Sequence, residues 1–376
     1  MLTDTQLLQV WGNKTSIAVD RSQFQIKKRA VFSGFNAITD AVVKFNALEF
    51  ERELKGANPS KIISSIHKKS KISSIGTKEE FFAAFISVFS SGKALELPSK
   101  NEKLFSYFKV KFNEKLRMGG QAGIISNQLS SIGLNSVCYS PILSKQQAKL
   151  FLPGVFFPYI EYDKLAYKKP ISCSRDLDET KTNWIFEFNK GEKLRFNGKT
   201  IICPRSNRLI VASRPETFVP IFDNSLEPYL KDISNSFNLY FLAGFSSFQK
   251  QMQGRHFRYY LHKLLVQLGK LKLNKKAKLH LEYVAIHDPE LESAIYPTIL
   301  PFFDSLGLNE VETMHFLRMI GDIPLSVKIE NHESPMNFYL GIKRLFHKFK
   351  LKRLHAHTLG YFFLLCIGFY FLSQVI

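Results

Sequence analysis

The sequence predicts an α/β protein, built on a mainly parallel, doubly wound sheet flanked by helices, with a smaller β-rich part. Three observations lead there. The second half alternates apolar, strand-length runs with longer helical runs, the pattern of parallel strands joined by crossover helices. Between residues 152 and 211 the pattern shifts to short alternating segments separated by turn signals, the mark of a small sheet of its own. And 376 residues, 45% hydrophobic and 14% aromatic, suffice for two domains or one large α/β domain with a lid and exclude wholesale disorder.

In chain order, residues 31–43 read as a buried first strand breaking into a turn with polar tips, Asn36 and Asp40. Such a turn lies at the carboxyl end of a strand, where α/β sheets present ligand groups. Asn and Asp also cap turns, so both readings stay open. Residues 51–81 are polar and rich in lysine (Lys55, Lys61, Lys68, Lys69, Lys71, Lys78), a solvated face or a flexible loop. Glu79 to Phe89 reads as an amphipathic helix stopped by Ser90, Ser91 and Gly92.

A charged, aromatic helical run from Lys103 to Lys115 leads into Arg117-Met118-Gly119-Gly120-Gln121-Ala122-Gly123. Paired glycines let backbone approach a ligand with no Cβ in the way. A small-residue turn feeding a helix also aims free N–H groups at polar or anionic partners. A tight turn for close helix packing has the same signature. Residues 130–137 read as helix passing into strand, and 146–151 as a short helix. Strand signals follow at 155–157, 184–188, 199–202 and 208–212, with turns at 189–191 and Asn197-Gly198. A strand over 238–244 ends at Gly244; a basic helix spans 248–268 and a strand 277–284. Residues 296–303 then lead into a strand at 305–309 and an acidic helix start.

The net charge of +20 calls for an anionic partner: nucleic acid, membrane phosphates or phosphorylated substrates. The lysines are scattered and no nucleic-acid motif is present, so nucleic acid is not the expected partner. Cys138, Cys173, Cys203 and Cys366 are far apart with no paired spacing. They read as buried thiols in a reducing cytoplasm and not as a zinc site or disulfide frame. Residues 1–20 contain Asp4 and Asp20 and no apolar core of a secretory signal, so a cytoplasmic location is expected.

The string Gly119-Gly120-Gln121-Ala122-Gly123, then Ile124-Ile125-Ser126-Asn127, then residues 140–148 (Ser-Pro-Ile-Leu-Ser-Lys-Gln-Gln-Ala), resembles the archaeal ADP-dependent sugar kinases, a ribokinase-like family. The resemblance implies a ribokinase-like fold in a single 1–376 region. Its lid would take up about residues 46–110 and 152–215, and the remainder would be the large α/β domain. It also implies phosphorylation of fructose 6-phosphate or glucose, with ADP as donor and Mg²⁺ as cofactor. Gly119, Gly120 and Gln121 would line the sugar pocket, and Asn36 and Asp40 would face the sugar hydroxyls. A carboxylate accepting two hydroxyl hydrogen bonds orients a polyol well. Lys168 and Arg214 stand in segments resembling those that hold the sugar 6-phosphate in the phosphofructokinase branch, a point charge and a planar fork; as residues alone they are ordinary surface cations.

Phosphoryl transfer needs a metal on the phosphates, donors aimed at the moving group, and a carboxylate to take the hydroxyl proton. Mg²⁺ keeps several waters and uses one or two carboxylates. His280-Leu281-Glu282 and Asn309-Glu310-Val311-Glu312 match the family's H-x-E and N-x-x-E motifs. By resemblance, Glu282 and Glu312 support Mg²⁺ through water, while His280 and Asn309 belong to the phosphate and metal network. The segment His357-Thr358-Leu359-Gly360 resembles the part that borders the adenine of ADP or AMP, which assigns His357, Thr358 and Gly360 to the nucleotide. A His-x-His pair also ligates metals, but no third ligand is near, which argues against zinc.

Kinases of this fold carry a Gly-x-Gly-Asp turn whose Asp is the general base and whose N–H groups form the anion hole. The 376 residues contain none, and the single Gly-Asp pair, Gly321-Asp322, follows the N-x-x-E segment. Residues 361–376 are uncharged, behind a basic flank that includes Lys348, Lys350, Lys352 and Arg353. Residues 359–376 thus approach the roughly 20 apolar residues of a bilayer span, with a flank suited to a tail anchor. Because His357 belongs to the enzyme core by resemblance, an apolar stub left by a truncated or shifted frame is the preferred expectation. Impaired kinase activity is expected with it. The alternatives are a non-catalytic sugar- or nucleotide-binding relative and a basic membrane-tethered protein.

Overall fold

The computed structural model describes residue 9 and residues 31–67, 73–286, 288–332, 334–358 and 360–367. Lys68, Lys69 and Lys71 lie outside the described residues, as do Leu359 and the apolar run from 368 onward. The chain forms two compact units: residues 1–37, 120–175 and 219–376 make the first, and 38–119 with 176–218 the second.

Strands in chain order are β1 (Val31–Phe35), β2 (Ile38–Lys44), β3 (Leu95–Ser99), β4 (Glu114–Gly119), β5 (Ser136–Tyr139) and β6 (Val155–Glu161). Next come β7 (Lys164–Lys168), β8 (Thr182–Phe188), β9 (Lys193–Phe196), β10 (Lys199–Ile202), β11 (Asn207–Ser213) and β12 (Leu239–Ala243). The last are β13 (Gln251–Met252), β14 (Arg255–His256), β15 (Lys278–Glu282), β16 (Ser305–Asn309), β17 (Arg353–His357) and β18 (Phe362–Cys366).

The first unit is built on a nine-stranded sheet, ordered β18-β17-β16-β15-β12-β1-β5-β6-β7. Its strands from β17 to β6 run parallel, and β18 and β7 are antiparallel edges. The chain builds outward from β1 through β5 and β6, then outward on the other side through β12, β15, β16 and β17. The order therefore reverses between β1 and β12, a topological switch point of the kind where open α/β sheets bind ligands. Strand alternation sorts the residues: Leu279, Leu281, Leu306, Leu308 and Leu354 are fully buried, whereas His280, Glu282, Asn309 and His355 remain half-buried between them. The helix Phe257–Leu271 presents Phe257, Tyr260, Leu261, Leu264, Leu268 and Leu271 to the core at helical spacing.

The second unit holds a five-stranded mixed sheet, β3-β11-β8-β2-β4, and the separate hairpin β9-β10. Its core is a cluster of phenylalanines, Phe50, Phe81, Phe85, Phe108, Phe112 and Phe186, whose neighbouring rings lie 4.4 to 6.5 Å apart. The helix Lys78–Ser91 opens with a Thr77/Glu80 capping box and ends at left-handed Gly92.

Several expectations are corrected. The helix expected to be amphipathic is buried nearly all round, from Phe81 through Ile86 and at Val88 and Phe89. The helical run expected over 103–115 ends at Lys111, and residues 114–119 instead pair with β2 as a strand. Asp40 lies inside β2, not in a turn. The Lys-rich stretch contains two helices, Ala47–Lys55 and Pro59–His67. Residues 152–175, expected in the lid, fall in the first unit, where β6 joins β5, while the second unit begins earlier, at residue 38. The described part of the apolar 359–376 run forms β18 against β17, pairing through its backbone, with Phe362 and Leu364 about half exposed. Among the described residues no helix is long and apolar enough to cross a membrane.

Candidate functional site

In the first unit, β1 ends at the switch point, and Asn36 follows it. The Asn36 amide donates to Gln121 Oε1 at 2.5 Å, while its own Oδ1 is buried without a hydrogen-bond partner. Gly244, at the end of the adjacent β12, has no Cβ because one would press on Asn36. Gly120 caps the helix Gln121–Ser131 with φ 72° and ψ 145°, and a Cβ there would strike the Asn36 carbonyl. The turn thus needs glycine for both conformation and room. The free N–H groups expected here are in use: Ala122 and Gly123 both donate to that carbonyl, at 3.0 and 3.3 Å. Packing of this helix on the end of β1 therefore takes up two of the donors that would have met an anion.

In the second unit, Asp40 pairs across β2–β8 with Asn183 and across β2–β4 with Arg117. It is 8% exposed, with Arg117 Nε 4.0 Å from its carboxylate. Burial pushes its carboxyl up to about 6, against the opposing pull of Arg117 and Arg208 and a hydrogen bond from Asn183. Gly119 supplies the room, since a Cβ there would overlap the Asp40 carboxylate. Thr39 Oγ1 and Asn183 Oδ1, beside it on β2 and β8, are buried polar atoms without hydrogen-bond partners. Asn183 shares the Asp40 face of the sheet, and its satisfaction by a polyol there would remove a cost otherwise borne by the fold.

Two cations were expected at a phosphate. Lys168, at the end of β7 in the first unit, bonds Glu161 at 2.5 Å and lies over the Tyr159 ring. Arg214, just past β11 in the second unit, holds Glu96 at 3.1 Å. Sequence reasoning missed Lys181. It is 3% exposed, its ammonium sits 3.7 Å from the centre of the Phe218 ring, and burial, then the charge of Arg214, hold it well below the usual lysine range. Asn183 was missed as well. Both sit at the start of a strand that only the fold brings beside Asp40 and Arg214; no local pattern marks them.

The H-x-E and N-x-x-E segments occupy neighbouring strands of the first unit. His280, Ser305 and Arg353 lie in register across β15, β16 and β17. Arg353 Nη1 donates to Ser305 Oγ at 3.0 Å, Ser305 Oγ is 2.8 Å from His280 Nδ1, and His280 Nε2 is 3.1 Å from Glu282 Oε2. With Nε2 protonated every partner is satisfied, and the chain of bonds fixes the Glu282 carboxylate. Asn309 and Glu312 form a capping box at the start of the helix Glu310–Met319, each side chain bonding the other's N–H at 2.9 and 2.8 Å. Burial pushes the Glu312 carboxyl up to about 8, with Glu282 and Glu310 adding to the rise. Among the described residues no group of three or more His, Cys, Asp or Glu is arranged to hold a metal. Thr358 closes the β17–β18 turn by bonding Gly360 N, Tyr361 N and Tyr361 O, and His357 ends β17 exposed.

A doubly wound sheet with a glycine-rich turn at its switch point and carboxylates at neighbouring strand ends defines an α/β protein of the ligand-binding class. The family described as ADP-specific Phosphofructokinase/Glucokinase conserved region matches residues 29–371. An ADP-specific phosphofructokinase of Thermococcus litoralis is 32% identical over 341 residues, 89% of this chain and 74% of that protein. An ADP-dependent glucose/glucosamine kinase of Pyrococcus furiosus is 26% identical over 361 residues, 94% of this chain and 76% of that protein. A solved ADP-dependent kinase in complex with fructose-6-phosphate and ADPβS superimposes with a TM-score of 0.78 at 28% identity, covering 96% of this chain and 73% of that one. The chain belongs to the ADP-specific phosphofructokinase/glucokinase family.

Proposed function

We propose that the chain binds fructose 6-phosphate in preference to glucose and takes ADP as phosphoryl donor. The observation that carries the sugar phosphate is the pair of neighbouring cations Lys181 and Arg214, with Glu96 bonded to Arg214 at 3.1 Å. Two buried or half-buried cations repelling one another favour a dianion, and Arg supplies the planar fork that suits phosphate. The higher identity to the phosphofructokinase than to the glucose kinase supports the same choice. Each unit brings its own candidates from the family resemblance: in the second, Asp40 for hydroxyls, with room made by Gly119; in the first, Asn36 and Gln121 beside Gly120 for hydroxyls, and Lys168 as a further cation. His357, Thr358 and Gly360 border the nucleotide. The buried thiols Cys138, Cys173 and Cys203 support a cytoplasmic setting.

The donor set also fits Mg²⁺. Burial and the neighbouring Glu282 carboxylate raise the cost of ionising Glu312, and a cation held through water relieves it. When bound, the ion would neutralise phosphate charge. The residues' own part is to hold that position: the Arg353–Ser305–His280 chain aims Glu282, and the capping box aims Glu312.

The test is thermal unfolding with each sugar. A ligand that binds only the folded chain raises stability with its concentration over its Kd. Fructose 6-phosphate is expected to raise the midpoint more than glucose at equal concentration. Arg214→Ala should abolish the phosphosugar shift and spare any shift with glucose. Equal shifts for both sugars would overturn the preference.

A further inference from the structure

At the amino ends of β15, β16 and β17, the edge of the first unit's sheet opposite Glu282 and Asn309, lies a cavity of about 460 Å³. Four lysines line it, Lys272, Lys348, Lys350 and Lys352, with one carboxylate, Asp304. Asp304 is 6% exposed and already committed: Lys272 Nζ is 2.7 Å and Lys352 Nζ 2.6 Å from it, and Leu279 N donates at 3.1 Å. Lys348 and Lys350 have no carboxylate partner among the described residues. The lining therefore carries three more positive charges than negative, four ammoniums against one carboxylate.

Lysines at a helix end have an ordinary explanation, since cations near a C-terminus offset the helix dipole. Lys350 goes beyond it. The helix Pro335–Lys348 ends in a Schellman motif: Leu351 N bonds Phe346 O at 3.1 Å and Lys350 N bonds His347 O at 3.2 Å. That places Lys350 at the left-handed position, φ 49°, where glycine or asparagine is the favoured residue. A lysine kept at a backbone position that favours glycine, adding charge to an already positive cavity, points to a task for the charge. The remaining wall is apolar, with Leu300, Pro301 and Phe349.

We propose that this cavity binds a phosphate monoester with an apolar or aromatic body. The phosphate takes the Lys348 and Lys350 ammoniums, and the body lies on Leu300, Pro301 and Phe349. The site is independent of the sugar and nucleotide reading.

Isothermal titration of the 1–376 chain with phenyl phosphate and with inorganic phosphate tests it. Phenyl phosphate is expected to bind, and to bind more tightly than inorganic phosphate. The double variant Lys348→Gln/Lys350→Gly should weaken it by about tenfold or more. Its midpoint should stay at or above that of the unsubstituted chain, because glycine suits the left-handed position. In the Arg214→Ala background, which disables the phosphate position proposed for the sugar, phenyl phosphate should still bind and the double variant should still lose it. Absence of binding in that background, equal affinity for the two anions, or full binding by the double variant would each overturn the proposal.

Discussion

Asp40 answers to two demands of opposite sign. Its carboxyl goes from 3.8 to about 6 on burial, so the neutral form is favoured in the folded chain. A raised acid contributes stability that is fully present below its unfolded value and is lost as pH rises through its folded value. At about 1.4 kcal/mol per unit, up to about 3 kcal/mol is lost between about pH 4 and about pH 7. Asp40→Asn keeps the shape and stays neutral, so in denaturant titrations the variant should gain up to this amount relative to the unsubstituted chain as pH rises through the window, over whatever decline Glu312 imposes on both. Sugar affinity should move the other way, rising as Asp40 ionises; a flat affinity across that window would remove Asp40 from the sugar. Glu312 allows an equally selective change. Gln also serves at the third position of a capping box and carries no charge to bury, so Glu312→Gln should keep the fold and not lower its stability. It should nonetheless weaken nucleotide binding in the presence of Mg²⁺, and unchanged Mg²⁺ dependence would sink the assignment. Neither role was legible in full: the N-x-x-E spacing is visible in the sequence, but the same four residues spell a helix cap and a metal network alike.

The Gly119-Gly120 turn shows which part of an element sequence can announce. That glycine is needed there was legible; that the helix after it would give its first donors to Asn36 was not, because the acceptor is 86 residues away. Gly120→Ala meets two obstacles, the φ of 72° and the Asn36 carbonyl, whereas Gly198→Ala meets the same φ with nothing within 4 Å. The control should lose about 1–2 kcal/mol from conformation alone. Gly120→Ala should lose more, by the cost of moving Asn36, and should also lose the sugar-induced shift. Equal losses would mean that the close approach costs nothing. Helix Lys78–Ser91 is the converse case. Its cap residues fixed its ends, but its eight buried side chains do not sort into one face, so the period misled.

The alternation of strands and helices in the second half is a local pattern, and it foretold the parallel sheet from β12 to β17. The division into units is not local: β2 pairs with β8, joining Asp40 to Asn183 across more than a hundred residues, and β3 pairs with β11, so that 38–119 and 176–218 form one unit. Activity is the property of the whole chain that binding does not guarantee. In family resemblance the base and the anion hole come from one Gly-x-Gly-Asp turn, and the 376 residues contain none. Gly321-Asp322 does not replace it. Asp322 precedes the helix Ile323–Asn331, joining two helices instead of following a strand, and its carboxylate accepts from Arg344 Nε at 3.1 Å. The polypeptide 1–376 is therefore expected to bind sugar and nucleotide while turning over slowly. A general base contributes about 10²–10⁴-fold, and an anion-hole donor about 10²–10³-fold. The two losses do not multiply, since groups acting as a unit fail together. Turnover with ADP, Mg²⁺ and fructose 6-phosphate should rise at least about a hundredfold when a Gly-x-Gly-Asp segment is grafted after residue 376. Turnover by the ungrafted polypeptide in the usual enzyme range, about 1–10³ per second, would mean that a carboxylate already within its 376 residues serves as the base.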